Sequence, residues 1–305
     1  MKKILITGAL GQDGIILSKK FSKLKIKTLG LVKRIKKKKI KKIKYIINDL
    51  TSKKHILKIL EKFKPDIVFH LASINNSYNL IKFHNYKIDY LHNYKCSKNL
   101  IDSLIEKKIK CKFIFAGSSL MFGKRDKIAN EKSRFNSKNF YEKYKIDTYK
   151  YLKNISLSNP INPTLALLFN HDSVHRKNNF LLPKLVKASI NKDKNYLEKI
   201  YHLNISGDFS HAEDICHGLY QIAKNKKKID KIILSSNKRI YINKIIEYLA
   251  KKNRLKLTKN KIKNKKNYKF LGSNKFAKKI IKFKCKKTIF NVVDDLQKNY
   301  QKRNC

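Results

Sequence analysis

Three glycines within seven residues constrain this chain more than any other feature. Gly8, Gly11 and Gly14 stand in Thr7-Gly-Ala-Leu-Gly-Gln-Asp-Gly14, in a chain of 305 residues that has only nine glycines. Before them, residues 3–8 read as a short buried strand; after them, Leu17, Phe21 and Leu24 recur at helical spacing. A glycine turn between a buried strand and a helix lets the backbone bend tightly and brings bare peptide to the free N–H groups of a helix N-terminus. That combination accepts a pyrophosphate. An ordinary strand-to-helix connection has no need for so large a share of the chain's glycines. Gly8, Gly11, Gln12, Asp13 and Gly14 are therefore expected to bind a dinucleotide.

The rest of the N-terminal half continues this alternation. Residues 27–33, Ile43 to Ile47, Asp66 to Ala72, Lys112 to Ala116 and Thr164 to Phe169 are strand-like apolar runs. Between them lie helical patterns: Ser52 as cap, Ile56, Leu60 and Phe63 as stripe, Pro65 as stop, then Leu100 and Leu104 at the helical period. Pro160 and Pro163 are expected to close the helix before residue 164. The pattern predicts an α/β fold, a Rossmann-type doubly wound parallel sheet covered on both faces, with a smaller C-terminal substrate lobe. The expected division is residues 1–170 as a dinucleotide-binding domain, its sheet completed by later strands, and residues 171–305 as an interleaved substrate lobe. Lys259 to Lys269, the most lysine-rich segment, is expected to be an exposed loop, as is the run from Lys36 to Lys44.

The second strand selects the dinucleotide. Sites for NAD place a carboxylate at its end for the ribose hydroxyls. Here no acidic residue occurs between Asp13 and Asp49, and Lys33 and Arg34 occupy that place. A cationic pair suits a 2′-phosphate, so NADP is expected ahead of NAD. Asp49 and Leu50, after the third strand, are expected either at the adenine or at the entry to the following helix, with Leu71 and Ala72 at the end of the next strand completing the cofactor site.

Tyr141 and Lys145 are four apart and share a helix face. An ammonium beside a phenol favours the phenolate, which can exchange a proton with a substrate hydroxyl while a nicotinamide exchanges hydride. The spacing alone carries little weight in a chain with 16 tyrosines and this much lysine. Context selects the pair: Phe113-Ile-Phe-Ala-Gly117 opens into Ser118-Ser119, and Tyr141 follows Ser118 by 23 residues at the start of a helix. Ser118, Tyr141 and Lys145 are the expected catalytic relay, with Tyr141 and Lys145 also facing the cofactor.

Composition excludes several other classes. The net charge is +53, yet only seven of the 74 basic residues are arginine. Nucleic-acid readers rely on the planar fork of arginine. Lysine spread along the whole chain beside abundant Ile, Asn and Tyr points instead to a coding bias, and a nucleic-acid partner is not expected. Five scattered cysteines with no CxxC argue against a disulfide framework or a zinc site. The apolar stretch after Met1-Lys2-Lys3 is broken by Gly8, Gly11 and Asp13, so no signal peptide or membrane span is expected. A cytoplasmic enzyme without metal is the expectation. His171 and His175, though four apart, lie in a loop-like segment, and His70 reads as a packed core residue.

Taken together, these residues resemble the extended short-chain dehydrogenase/reductases, and within them the GDP-mannose 4,6-dehydratase family. Ile6-Thr-Gly-Ala-Leu-Gly-Gln-Asp-Gly14 and Gly30-Leu-Val-Lys-Arg34 are similar to that family's opening. More specific are Leu168-Phe-Asn-His-Asp-Ser173, with Asn179 and Phe180 at the matching offset, and Asp208-Phe-Ser-His-Ala-Glu-Asp214. The resemblance implies bound NADP, a GDP-hexose substrate, and a homodimer or homotetramer. It places Asn170, Asn179 and Lys184 at the substrate, with Arg176 in the loop between them. Two departures matter. The family's glutamate, two residues after the catalytic hydroxyl, is replaced by Leu120, which cannot remove the C5 proton that precedes loss of water. Gly207 and Lys263, followed by Asn264, stand where arginines near the diphosphate are expected. Oxidation or reduction at C4 remains open to Ser118, Tyr141 and Lys145, so a 4-ketoreductase or epimerase is the alternative to a dehydratase. A non-catalytic NADP- or polyanion-binding protein is the remote alternative. Glu131 and Glu142 flank the relay and are expected to be surface or loop carboxylates.

Overall fold

Residues Ile4–Thr7 form the first strand, β1, and all four are buried. Leu5 points into one apolar cluster while Ile4 and Ile6 point into another, as a strand covered on both faces requires. The computed structural model describes residues 2–35, 40–75, 85–123, 128–258, 267–268 and 271–304. In chain order, β1 is followed by α1 (Gln12–Lys23), β2 (Thr28–Val32), β3 (Lys44–Ile47), α2 (Lys53–Phe63), β4 (Ile67–His70) and α3 (Tyr86–Glu106). Next come β5 (Cys111–Ser118), a 3₁₀ turn (Ser119–Phe122), α4 (Phe140–Ile155), β6 (Ile161–Leu168) and β7 (Asn170–Asp172). The remainder comprises α5 (Leu181–Ile190), α6 (Lys194–His202), β8 (Ile205–His211), α7 (Ala212–Lys224), β9 (Lys231–Leu234), β10 (Arg239–Tyr241), α8 (Ile242–Lys252), β11 (Asn267–Tyr268), α9 (Lys275–Ile281) and α10 (Ile289–Asn304).

The main sheet has seven strands in the order β3-β2-β1-β4-β5-β6-β9, every pair parallel. It is the doubly wound α/β fold that the alternation predicts. Helices α2, α3 and α4 bury Ile56, Leu60, Leu100, Leu104, Tyr144 and Leu152 on one face. On the other face α1, α7 and α9 bury Leu17, Phe21, Ile215, Leu219, Ala277 and Ile281. The direction of winding reverses between β1 and β4, and the crevice beyond the carboxyl ends of those strands is where such sheets bind ligands. A smaller sheet, β10-β8-β11 with β7 paired to β8, forms from the later chain. Helices α5, α6, α8 and α10 enclose a third cluster around Leu185, Leu197, Ile245 and Val292.

Some local expectations are corrected. Pro163 does not end a helix; it lies inside β6, paired with Phe113 of β5. Pairing with β9 begins only at Leu165, so the missing N–H of Pro163 breaks no ladder bond. Ser52 stands at the N-cap of α2, but its hydroxyl makes no capping bond. Most of Lys259 to Lys269 lies outside the described residues, and Asn267 and Tyr268 are strand rather than loop. Lys36 to Lys39 also lie outside them, and the run's last member, Lys44, opens β3. Cys96, Cys111, Cys216 and Cys285 are free thiols, and no helix among the described residues is long and apolar enough to cross a membrane.

The glycine turn shows why its residues are glycine. Gly8 has a φ of +68°, and a Cβ there would lie 3.0 Å from the backbone of Ala72. A Cβ on Gly14 would sit 2.5 Å from the carbonyl oxygen of Gly8 and 2.6 Å from Cα of Ala9. Backbone cannot yield as a side chain can, so Gly14→Ala is expected to lower stability by about 1–3 kcal/mol. Urea denaturation beside Gly11→Ala, whose Cβ would meet Gly8 at 3.1 Å, checks this; equal stability of the two variants would contradict it.

Candidate active site

Two cavities meet at the carboxyl ends of β1 and β4, sharing Gly8 and Ser73. The smaller, about 210 Å³, runs along β2 and β3 and is lined by Lys33, Asn48, Asp49, Leu50, Ala72 and His92, among others. The larger, about 310 Å³, spans from Gly11, Gln12, Asp13, Gly14 and Leu71 to Ser118, Tyr141 and Lys145, and on to Asn170 and Asn179. The cleft thus gathers positions scattered over most of the chain. Two expected residues stay outside it. Arg34 is exposed and lines neither cavity, unlike its neighbour Lys33. Lys184 is exposed on α5, outside the lining of the larger cavity. The positions Lys263 and Asn264 lie outside the described residues, and Gly207 sits within β8 opposite Ile240.

Helix α4 carries Tyr141 and Lys145. Its N-terminus is fixed by Asn139, whose Oδ1 accepts from the N–H of Glu142 at 2.9 Å. Glu142 answers by accepting from the N–H of Lys138 at 2.6 Å and from the amide of Asn139 at 2.9 Å. This capping box, with a buried Glu142, replaces the expected surface carboxylate. Glu131 is likewise engaged, accepting from the N–H of Ile233 at the sheet edge, with its carboxyl pushed up by burial. Neither carboxylate lines the cleft.

Along α4, Tyr141 and Lys145 share the face turned to the cleft. Lys145 is only 2% exposed; its Nζ donates to the carbonyl of Ala116 at 2.6 Å and lies 5.7 Å from the Tyr141 ring centroid. Burial pulls its pKa down to about 7. Ser118, at the end of β5, accepts from the N–H of Leu120 at 3.2 Å. Leu120 itself is half-buried and absent from the cleft lining. Behind the site His70 is fully buried, bonded to Thr7 at 2.8 Å and Ser97 at 2.9 Å, and burial pulls its pKa down to about 3. It is the core histidine the sequence suggests.

Sequence reasoning passed over one charged pair. His171, on β7, reaches Asp13 in the first turn of α1, with Nε2 3.1 Å from both carboxylate oxygens. Gln12 adds a bond from its amide to the carbonyl of His171 at 3.1 Å and accepts from Ser173 at 3.1 Å. The one available signal was the Phe-Asn-His-Asp-Ser run that contains His171 and Ser173. No group of three or more His, Cys, Asp or Glu capable of holding a metal occurs among the described residues. Ser73, Asn93 and Lys177 are further lining residues that no local pattern marks.

The lysine's burial has a measurable consequence. Between about pH 7 and the pKa of an unfolded lysine, near 10.4, the unfolded chain binds one proton more at this position, so stability gains a contribution that rises with pH. Below pH 7 both states are protonated and that contribution is flat. Lys145→Met should remove it, which urea denaturation between pH 6 and pH 10 will detect as a loss of slope; an unchanged slope would exclude a buried, readily deprotonated amine.

Comparison with known proteins places this geometry. The model of the family described as GDP-mannose 4,6 dehydratase matches residues 5–299. GDP-mannose 4,6 dehydratase 2 of Arabidopsis thaliana is 24% identical over 251 residues, covering 76% of this chain and 67% of the relative. GDP-6-deoxy-D-talose 4-dehydrogenase of Aggregatibacter actinomycetemcomitans is 26% identical over 182 residues, 57% of each chain. In fold, the chain is similar to UDP-glucuronic acid 4-epimerase from Bacillus cereus, solved with UDP-glucuronic acid and NAD. The TM-score is 0.83 at 18% identity, over 99% of both chains.

Proposed function

Since this chain belongs to the GDP-mannose 4,6-dehydratase family, enzymes of the extended short-chain dehydrogenase/reductase class, we propose that it oxidises or reduces C4 of a nucleotide-linked hexose. The observation that carries this reading is the meeting of Ser118, Tyr141 and Lys145 in one cavity with the glycine turn. The cleft fits a dinucleotide: bare backbone at Gly8, Gly11 and Gly14 faces it, and its second chamber opens beside Lys33, Asn48 and Asp49. When bound, the nicotinamide supplies the hydride chemistry. Lys33 at the mouth of the smaller cavity favours NADP, although the similar epimerase structure holds NAD. The division of labour we infer is residues 1–170, with β9, for the dinucleotide, and residues 171–305 for the sugar nucleotide. A GDP-hexose is the proposed substrate, and a cytoplasmic homodimer or homotetramer the proposed working form.

The chain's own residues then divide the proton work. The Tyr141 phenol holds or releases the proton of the C4 oxygen, and Ser118 aligns that oxygen by hydrogen bonding. Lys145, anchored on Ala116, keeps a cation available near the phenol. Asn170 and Asn179 hold the substrate on the far wall of the cavity.

A second reading is favoured by one observation. Elimination of water needs a carboxylate to take the C5 proton. Leu120 stands at the family's position, and the one acidic residue lining the larger cavity, among the described residues, is Asp13, already engaged by His171. We therefore favour a 4-ketoreductase or 4-epimerase over a dehydratase.

Incubation with NADP⁺ and GDP-mannose, followed by mass spectrometry, is expected to show no loss of water. A 4-keto nucleotide sugar should be consumed when NADPH is supplied. Tyr141→Phe is expected to lower kcat by about 10²–10⁴-fold. Loss of water by the wild type would sink the second reading, and failure to turn over any GDP- or UDP-hexose would sink the first.

A further inference from the structure

The first turn of α1 presents a paradox for anion binding. Its free N–H groups and positive dipole end face the cavity with Gly11 and Gly14, but Asp13 lines the same wall. An uncompensated carboxylate there would repel a diphosphate across a short, poorly screened distance. The structure supplies the compensation. Both ring nitrogens of His171 meet acceptors: Nδ1 lies 2.6 Å from the carbonyl oxygen of Phe169, and Nε2 lies 3.1 Å from each oxygen of Asp13. Two acceptors demand two ring protons, so the geometry calls for an imidazolium.

We infer that His171 is a built-in counterion for Asp13 and a positioning residue for the dinucleotide, keeping the N-terminus of α1 open to an anion. This rests on the reading of the cleft as a dinucleotide site. The pair also ties that helix to β7, on the substrate side, beside the bonds of Gln12 to His171 and Ser173.

Among the groups around His171, Arg176 also acts on both members of the pair, favouring the charged carboxyl and disfavouring the charged imidazole. Asp172 pairs with Arg176, Glu213 of α7 with Lys287, and His211 of β8 with Asp295. Asp208 of β8 accepts from Ser236 and Asn237. Cys216 of α7 is a thiol that burial holds well above its usual pKa. Although burial opposes charge on both partners, Asp13 holds the imidazole above its ordinary pKa and His171 holds the carboxyl below its own. Arg176, His175 and Lys145 also face the cavity, so an effect of His171 must be separated from theirs.

Two measurements test the inference. The first is ¹H–¹⁵N correlation of the His171 ring in the ligand-free protein, where both nitrogens should be protonated at pH 7. A neutral ring overturns the proposal without reference to any variant. The second is NADPH affinity by calorimetry from pH 6 to 9, in the wild type, in His171→Gln, and in Asp13→Asn with His171→Gln. His171→Gln should weaken binding at pH 6–7 by about tenfold or more, and the double variant should recover most of that loss. Wild-type affinity should also fall more steeply with rising pH than that of the double variant, in which only Lys145, His175 and the remaining groups titrate. Equal affinities and parallel pH profiles in all three proteins would overturn the counterion role while leaving the dinucleotide site intact. Absence of NADPH binding by the wild type at every pH would overturn both the inference and the reading beneath it.

Discussion

The backbone contact between the start of α1 and the end of β1 is the constraint from which the rest of the site follows. Gly14 lies so close to Gly8 and Ala9 that even one methyl carbon would overlap them. That contact lets α1 begin immediately beyond the sheet, with its free N–H groups at the crevice between β1 and β4. Several other cleft residues are placed by the same parallel sheet. Because all seven strands run in one direction, β1, β4, β5 and β6 deliver Gly8, Leu71, Ser118 and Phe169 to one edge, and both cavities open there. Burial of strand residues on both faces fixes the register, since a one-residue slip would exchange the two apolar clusters.

Polar groups buried around this frame are organised rather than sparse. His70 joins Thr7 of β1 to Ser97 of α3, and Thr7 accepts in turn from the N–H of Ala72. Asp208 of the small sheet accepts from Ser236, Asn237 and Gly272, holding together the segments that follow β9 and precede α9. Asp13 and His171 in turn tie α1 to β7 of the small sheet. Breaking a buried pair leaves the remaining partner unsatisfied at a cost well above the net worth of the bond, so such ties are strong constraints on geometry.

The chain's unusual charge is almost silent in this architecture. Most lysines stand on exposed helix faces and loops, and several cover aromatic rings or single carboxylates, as Lys20 does over Tyr220 and Lys98 beside Asp102. Among the described lysines Lys145 is the exception: it is buried, and the low polarity around it brings its proton within easy reach near neutral pH. Burial, rather than residue type, separates Lys145 from the other described lysines.

Local patterns were legible in the sequence because they arise from interactions between near neighbours. The glycine turn, the alternation of strands with helices and the shared face of Tyr141 and Lys145 all follow from backbone geometry over a few residues. What packing alone decided lies between residues far apart. The pairing of Asp13 with His171 spans 158 positions, and no local spacing marks it. The direction of the loop after β2 admitted Lys33 to the cleft and left Arg34 outside, although the two are adjacent. Glu142 was drawn into a helix cap because the start of α4 needed its first N–H groups satisfied, and Pro163 stayed in a strand because the neighbouring strand begins two residues later. Sequence fixes which chemistry is available; only closure of the sheet and its second lobe determines which groups share one low-dielectric space, since that depends on distances the chain acquires on folding.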